Sequence, residues 1–256
     1  MTFAADSHLV CSVHAAENRE PRRGGVRPSL LILHYTGMSS AAKAIDWLAR
    51  ADSSVSCHYV VDEDGRITQL VPEGMRAWHA GASYWRGETD INSHSIGIEI
   101  QNPGHQHGYP DFPAAQMHAV IALGKDITRR HGMAADAVLA HSDIAPARKI
   151  DPGEKFNWML LAREGLGLWV RPSLVRADDP GLGLGESGSR VAGVQEQLAL
   201  YGYRVEPTGV LDETTNHVLK AFQAHFRPRR VDGRLDRSTE LTLGRLVEAS
   251  RRRVAA

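Results

Sequence analysis

Apolar and polar positions between residues 28 and 170 change period several times, as they do where short strands alternate with helices. Leu30 to Leu33 form a continuous apolar run inside SLLILHYT (29–36), which predicts a buried strand ending at His34 and Tyr35. AAKAIDWLAR (41–50) spaces its apolar residues for one amphipathic helix. In CHYVVDEDGRITQLV (57–71) two strand-like runs meet at Asp64-Gly65, a pair that tolerates the positive φ of a tight hairpin. SIGIEI (95–100) alternates strictly, with Ile96, Ile98 and Ile100 on one face and Gly97 and Glu99 on the other. PAAQMHAVIALGKDITRRHG (113–132) starts with a proline near the first helical position. It carries Met117, Val120, Ile121, Gly124 and Ile127 on one stripe and stops at Gly132. The pattern predicts an α/β domain, a mixed central sheet flanked by helices.

The periodicity breaks at RPSLVRADDPGLGLGESGS (171–189), where Pro, Gly and Ser crowd together. Beyond it, Val191, Val194, Leu198 and Tyr201 share one helical face, as do Val218, Leu219, Phe222 and Phe226. GVLDETT (209–215) and GRLDRST (233–239) repeat Gly-x-Leu-Asp-x-x-Thr, each predicting a turn whose Asp caps a new helix. The expected organisation is an N-terminal extension (1–27), a catalytic domain (28–172), a linker (173–188) and a small three-helix domain (189–252). That last domain offers no paired acid, base or nucleophile, so binding is its expected work.

Composition narrows the function without naming it. At 42% hydrophobic and 23% charged residues the chain is ordinary globular protein, and thirty basic side chains cancel thirty acidic ones. No cationic field gathers phosphate backbones, so nucleic acid is not an expected partner. Cys11 and Cys57 make neither a disulfide framework nor a metal knuckle. No run approaches the roughly 18 apolar residues of a membrane span. The first 25 residues lack the apolar core of a signal peptide, which gives a cytoplasmic expectation, or a periplasmic one if a leader once preceded the numbering.

Thirteen histidines are many, and most have a structural explanation available. His34, at the end of a predicted central strand, is either a hydrogen-bonded core residue or a ligand at the mouth of the sheet. His141 and Asp151 bracket the Pro- and Gly-bearing HSDIAPARKIDPG (141–153), a loop able to bring both to one point. Two neutral imidazoles and a carboxylate make a three-ligand zinc site that leaves a fourth position for water, the arrangement amide hydrolysis requires. Glu99 stands alone on the polar side of an apolar strand, suited to carry the water's proton. Lys149, two residues before Asp151, is either a solvated loop lysine or a cation for a developing oxyanion. His105 and His107 in GHQHG form a weaker candidate metal pair. His58 and His94 read as structural or cleft residues, and His118, His131, His217 and His225 as surface or cap residues.

LILHYTG, CHYVVDEDGRITQLVPE, AWHAG, SIGIEIQN and HSDIAPARKIDPG, in this order, resemble the zinc-dependent N-acetylmuramoyl-L-alanine amidases of the type 2 family. The likeness spans roughly residues 28–170 and is strongest to the broad-specificity anhydromuramyl-peptide branch. It implies His34, His141 and Asp151 as ligands of one Zn²⁺ per chain, Glu99 as acid/base and Lys149 as oxyanion stabiliser. It further implies Tyr35, Thr36, Trp78 and His79 as substrate-binding residues. The implied reaction is hydrolysis of the amide between the lactyl group of (1,6-anhydro-)N-acetylmuramic acid and L-alanine of a stem peptide, in cell-wall turnover or recycling. VQEQLALYGY, GVLDETTNHVLKAFQ and DGRLDRSTELTL resemble a peptidoglycan-binding three-helix module, whose alternative is a set of helices that braces the catalytic unit. The partners implied are peptidoglycan or soluble muropeptides. A catalytically silent recognition protein on the same fold is the competing reading.

Overall fold

The computed structural model describes residues 3–254. Its frame is a six-stranded sheet of β1 (Ser12–Val13), β3 (Leu30–Tyr35), β4 (Tyr59–Val61), β5 (Ile67–Gln69), β7 (Ser95–Ile100) and β8 (Val138–Ala140). Their order is β1-β5-β4-β7-β3-β8, and only the β4–β5 hairpin pairs antiparallel. A separate antiparallel ribbon joins β2 (Arg19–Pro21) to β6 (Met75–Ala77).

Strand parity divides the side chains of the central strands. Leu31 and Leu33 of β3 and Ile96, Ile98 and Ile100 of β7 face one way and pack on α3 (Ala114–His131) through Met117, Val120, Ile121 and Ile127. That helix ends where Gly132 takes φ +64°, the left-handed cap its position predicts. Ile32 of β3 and Leu139 of β8 face the other way, into a second core. On that side lie His34, in phase with Ile32, and Glu99, in phase with Gly97. Helix α1 (Ala41–Ala49), capped by Ser40 accepting from the Lys43 N–H, packs with Leu48 beside Val60 and Leu70. Three shorter helices, α2 (Ile91–His94), α4 (His141–Ile144) and α5 (Trp158–Arg163), complete this half.

The C-terminal half is α6 (Ser189–Tyr201), α7 (Glu213–Phe226) and α8 (Arg237–Val254). The two echoing motifs act alike: Asp212 accepts from the Thr215 N–H and Asp236 from the Thr239 N–H at the starts of α7 and α8. The two halves are not separate bodies on a tether. Ile32, Leu139 and Ile144 share one buried cluster with Val191, Leu198, Phe222, Phe226 and Leu246. The supposed linker joins the second half early, since Leu182 bridges to Leu235 and Ser187 to Val210.

The N-terminal segment is likewise no free extension. β1 edges the main sheet and β2 makes the ribbon. Arg22 is buried, with its guanidinium donating to the carbonyls of Glu73, Ser93 and Ser95. A segment without a long apolar run reads as a tail, yet here backbone pairing and one arginine bind it in. Among the described residues no helix is long and apolar enough to cross a membrane.

Candidate metal centre and active site

Parallel pairing of β3 with β7 sets His34 directly opposite Glu99, so sheet register alone brings the first proposed ligand beside the proposed acid/base. His141 opens α4 at the end of β8, the neighbouring strand on the other side of β3. Asp151 returns at the end of the following loop, where its carbonyl accepts from the Ser142 N–H at 3.0 Å. Ligand atoms of His34, His141 and Asp151, all three buried, lie within 4.8 Å of one another. Nδ1 of His34 is 2.8 Å from Nδ1 of His141, and Asp151 Oδ2 is 3.4 and 3.0 Å from these two nitrogens.

The far side of each ring shows what that cluster suits. His141 Nε2 lies 3.3 Å from the Ala80 carbonyl, which only accepts, so that nitrogen carries the proton. His34 Nε2 lies 3.0 Å from His79 Nδ1, and His79 Nε2 lies 3.1 Å from Ser95 Oγ, which donates to the Ile91 carbonyl at 2.6 Å. The chain is consistent when His34 and His79 each carry their proton on Nε2. Both Nδ1 lone pairs and a carboxylate oxygen then face one point, an arrangement that repels itself unless a cation sits there. Imidazole, imidazole and carboxylate are the donor set of a catalytic zinc site, and ring nitrogens held from behind by acceptors are its usual support.

The electrostatics agree. Burial, reinforced by the neighbouring His141 ring, lowers His34 to about 4. Burial and the adjacent His34 ring hold His79 well below the imidazole range. Burial raises an acid, yet the His141 and His34 rings keep Asp151 below the usual carboxylate range. Glu99 goes the other way: burial first, then the Asp151 charge, push it well above 4.5. Its Oε2 is buried and has no hydrogen-bond partner.

Glu99 and Lys149 line one cleft of about 490 Å³ together with Tyr35, Thr36, Trp78 and His105. Its size is that of a small-ligand site. All four residues expected to contact substrate line this cleft, and some of them are also bonded within the protein. Both ring nitrogens of His79 are bonded within the protein, one of them to His34. Thr36 donates to Gln101 Oε1 at 2.9 Å and accepts from the Met38 N–H. Tyr35 and Trp78 remain on the cleft wall. The GHQHG pair makes no metal site: His105 bonds Tyr35 and Glu154 and stacks on Tyr109.

Gly97 is required by this support. A Cβ there would come within 2.7 Å of the His79 ring, which occupies the space over β7. Asp143 carries no signal in the sequence, and His225 is expected there as a surface or cap residue. Both are buried and bonded to each other at 2.7 Å.

Residues 24–154 match the profile of the N-acetylmuramoyl-L-alanine amidase family, just over half of the chain. The chain belongs to the N-acetylmuramoyl-L-alanine amidase family. Residues 187–243 of the amidase match a peptidoglycan binding domain. It is 38% identical over 244 residues to N-acetylmuramoyl-L-alanine amidase AmiD of Escherichia coli (strain K12), covering 90% of this chain and 86% of that protein. The structure of E. coli AmiD in complex with anhydro-N-acetylmuramic acid-L-Ala-D-gamma-Glu-L-Lys superposes with a TM-score of 0.75 at 37% identity, over 90% of this chain and 92% of the other. AmpDh3 from Pseudomonas aeruginosa in complex with an anhydromuramic pentapeptide gives 0.72 at 31% identity, over 90% and 95%.

Proposed function

We propose that the amidase hydrolyses the amide between the lactyl group of 1,6-anhydro-N-acetylmuramic acid, or of the ordinary muramic sugar, and the L-alanine of a peptidoglycan stem peptide. His34, His141 and Asp151 hold one zinc ion for this. The observation that carries the reading is the convergence of two imidazole Nδ1 atoms and one carboxylate oxygen within 4.8 Å, in an open cleft and opposite Glu99, whose Oε2 has no partner. The two relatives solved with anhydromuramyl peptides support the substrate class.

When bound, zinc polarises the scissile carbonyl and lowers the pKa of water from 15.7 towards roughly 7. Glu99 accepts the proton of the attacking water and delivers it to the alanine nitrogen as the carbon–nitrogen bond breaks. Its raised pKa suits the second half of that task, because a carboxyl that holds its proton through the attack is available as the acid. Lys149 places an ammonium in the same cleft and stabilises the negative charge that develops on the carbonyl oxygen. His79 and the Ala80 carbonyl keep the two ligand rings in one tautomer. Tyr35 and Trp78 present flat faces to the sugar–peptide junction. The C-terminal module holds wall glycan near the cleft.

The test is incubation of zinc-loaded protein with anhydro- and reduced muramyl peptides, following released peptide by mass. Turnover should vanish on chelation and return with zinc. Zinc-loaded protein that binds muropeptide and releases nothing would overturn hydrolysis in favour of recognition alone.

A further inference from the structure

Asp143 is the most heavily committed carboxylate next to the ligand cluster. It is completely buried, two residues after His141, in the single turn of α4. Its Oδ2 accepts from the Ala140 N–H at 2.8 Å, closing the turn on the residue just before His141. The other two donors come from the C-terminal module. Tyr203 Oη–H donates to Oδ1 at 2.5 Å and His225 Nδ1 lies 2.7 Å from Oδ2. His225 has no freedom to leave. Its ring stacks on Trp158 of the catalytic half at 3.7 Å and on Phe226 at 3.8 Å, and its Nε2 has no partner. Tyr203 is held by Trp85, edge to face at 5.1 Å, and Arg86 clasps the preceding turn by donating to the Tyr201 carbonyl.

From this geometry we infer that Tyr203 and His225 are positioning residues for the metal centre: through Asp143 they hold the turn that presents His141. The inference rests on His141 being a metal ligand. Asp143 is sealed from water, and a carboxyl group in such a place needs hydrogen-bond partners on both oxygens. Ala140 supplies one. With the module's two donors removed, the carboxylate is under-satisfied where it stands and gains by turning towards water. That movement releases the Ala140 N–H and loosens the start of α4, and the ligand triangle loses one corner. The module therefore does more than cover a hydrophobic face. It completes the support behind one ligand, as the His79–Ser95 chain completes the support behind another. Such outer partners commonly change metal affinity by about 10- to 100-fold. Coupling of this kind is reciprocal, so zinc must also tighten the module's hold on Asp143.

The experiment uses the full chain in four variants. Tyr203→Phe removes one hydroxyl, and His225→Leu removes the ring donor. His225→Asn keeps an N–H where Nδ1 was. Leu243→Ala removes packing from the module's core and no hydrogen bond. Zinc Kd is measured by competition with a chromophoric chelator, beside the Tm of each metal-free protein. Tyr203→Phe and His225→Leu should each weaken zinc by about tenfold or more. His225→Asn should recover most of that loss, and Leu243→Ala should lower Tm and leave Kd alone. Hydrogen exchange of residues 198–204 should slow on zinc addition in the wild type and not in Tyr203→Phe. Wild-type Kd in Tyr203→Phe and His225→Leu would overturn the inference. So would a rise in Kd that merely follows Tm, with Leu243→Ala weakening zinc as much as the others. Wild-type protein that takes up no zinc at all overturns the metal reading itself, a result readily told apart from these.

Discussion

Replacing Glu99 with Gln removes a charge and keeps the shape, and its two consequences run in opposite directions. Loss of a general acid/base costs about 10² to 10⁴ in rate, or roughly 3 to 5.5 kcal/mol of transition-state stabilisation. The loss should fall on kcat with zinc still bound, because Glu99 is no member of the ligand triangle. Stability should move the other way. Burial and the Asp151 charge raise Glu99 above its ordinary 4.5 in the folded chain. Between 4.5 and that raised value the native state binds more protons than the unfolded one. The contribution of Glu99 is thus fully present below pH 4.5 and is lost as pH rises through the raised pKa. Gln does not titrate, so the metal-free variant should gain on wild type by up to about 1.4 kcal/mol per pH unit across the window. In a chain of this size 1 kcal/mol is about 2–4 °C of Tm, so the difference should widen by about 3–5 °C per unit above pH 4.5 and then level off. Melting curves of both metal-free proteins from pH 4 to 8, with kcat and zinc content measured on the same preparations, decide the matter. A Tm difference that does not change with pH, or a variant with wild-type kcat, would refute the placement of Glu99 as a desolvated proton carrier.

Two further outcomes follow from the same geometry. His34 is lowered to about 4 from its ordinary 6.5, so the folded chain binds fewer protons than the unfolded one between these values. Its share of stability is present above 6.5 and is lost as pH falls towards 4, so zinc-loaded protein should still hold its metal at pH 6. A zinc-release titration on zinc-loaded protein checks it, and complete release at pH 6 would contradict it. Gly97→Ala puts a methyl group into the His79 ring and should weaken zinc by about 10- to 100-fold with the cleft wall intact. Chelator competition measures this, and unchanged affinity would mean that His79 does not hold His34.

How much of this was legible in the chain differs from residue to residue. β3, the β4–β5 hairpin, β7 and α3 announced themselves because alternation of two and stripes of 3.6 are local properties, and the caps at Asp212 and Asp236 because the motif repeats; β1, β2, β6 and β8 are too short to carry such a period. His34, Glu99, His141 and Asp151 were readable as polar residues at strand ends and loop brackets. Their meeting was not, since it depends on β3 and β7 pairing in one particular register. His79 sat in a recognisable motif, but its task depends on the absence of a side chain at Gly97, which has meaning only once the two are seen to face each other. Asp143 lies inside the most conspicuous polar run of the sequence and still carried no signal, because its donors arrive from 60 and 82 residues further on. His225 reads as a surface or cap histidine of a helix, since nothing local says that Trp158 covers it.

The distribution of polarity across the sheet explains why the second half is needed where it is. On the α3 side the sheet buries aliphatic side chains and gains stability from each. On the other side it buries His34, His79 and His58, and it leaves Oε2 of Glu99 buried without a hydrogen-bond partner. Every one of these groups loses hydration on folding, and the imidazoles meet the cost by staying neutral: burial and the nearby Arg22 charge take His58 to about 3. The charge left among the ligands is the carboxylate of Asp151, held below the usual carboxylate range, while the same charge helps push Glu99 up towards its protonated form. A face with so much unrewarded polarity needs apolar area close by. Ile32, Leu139 and Ile144, immediately behind the chemistry, obtain it from α6, α7 and α8. The module that offsets the cost of burying the site is thus the same one whose Tyr203, just past α6, and His225, on α7, bond Asp143, so packing and the support of His141 share one interface.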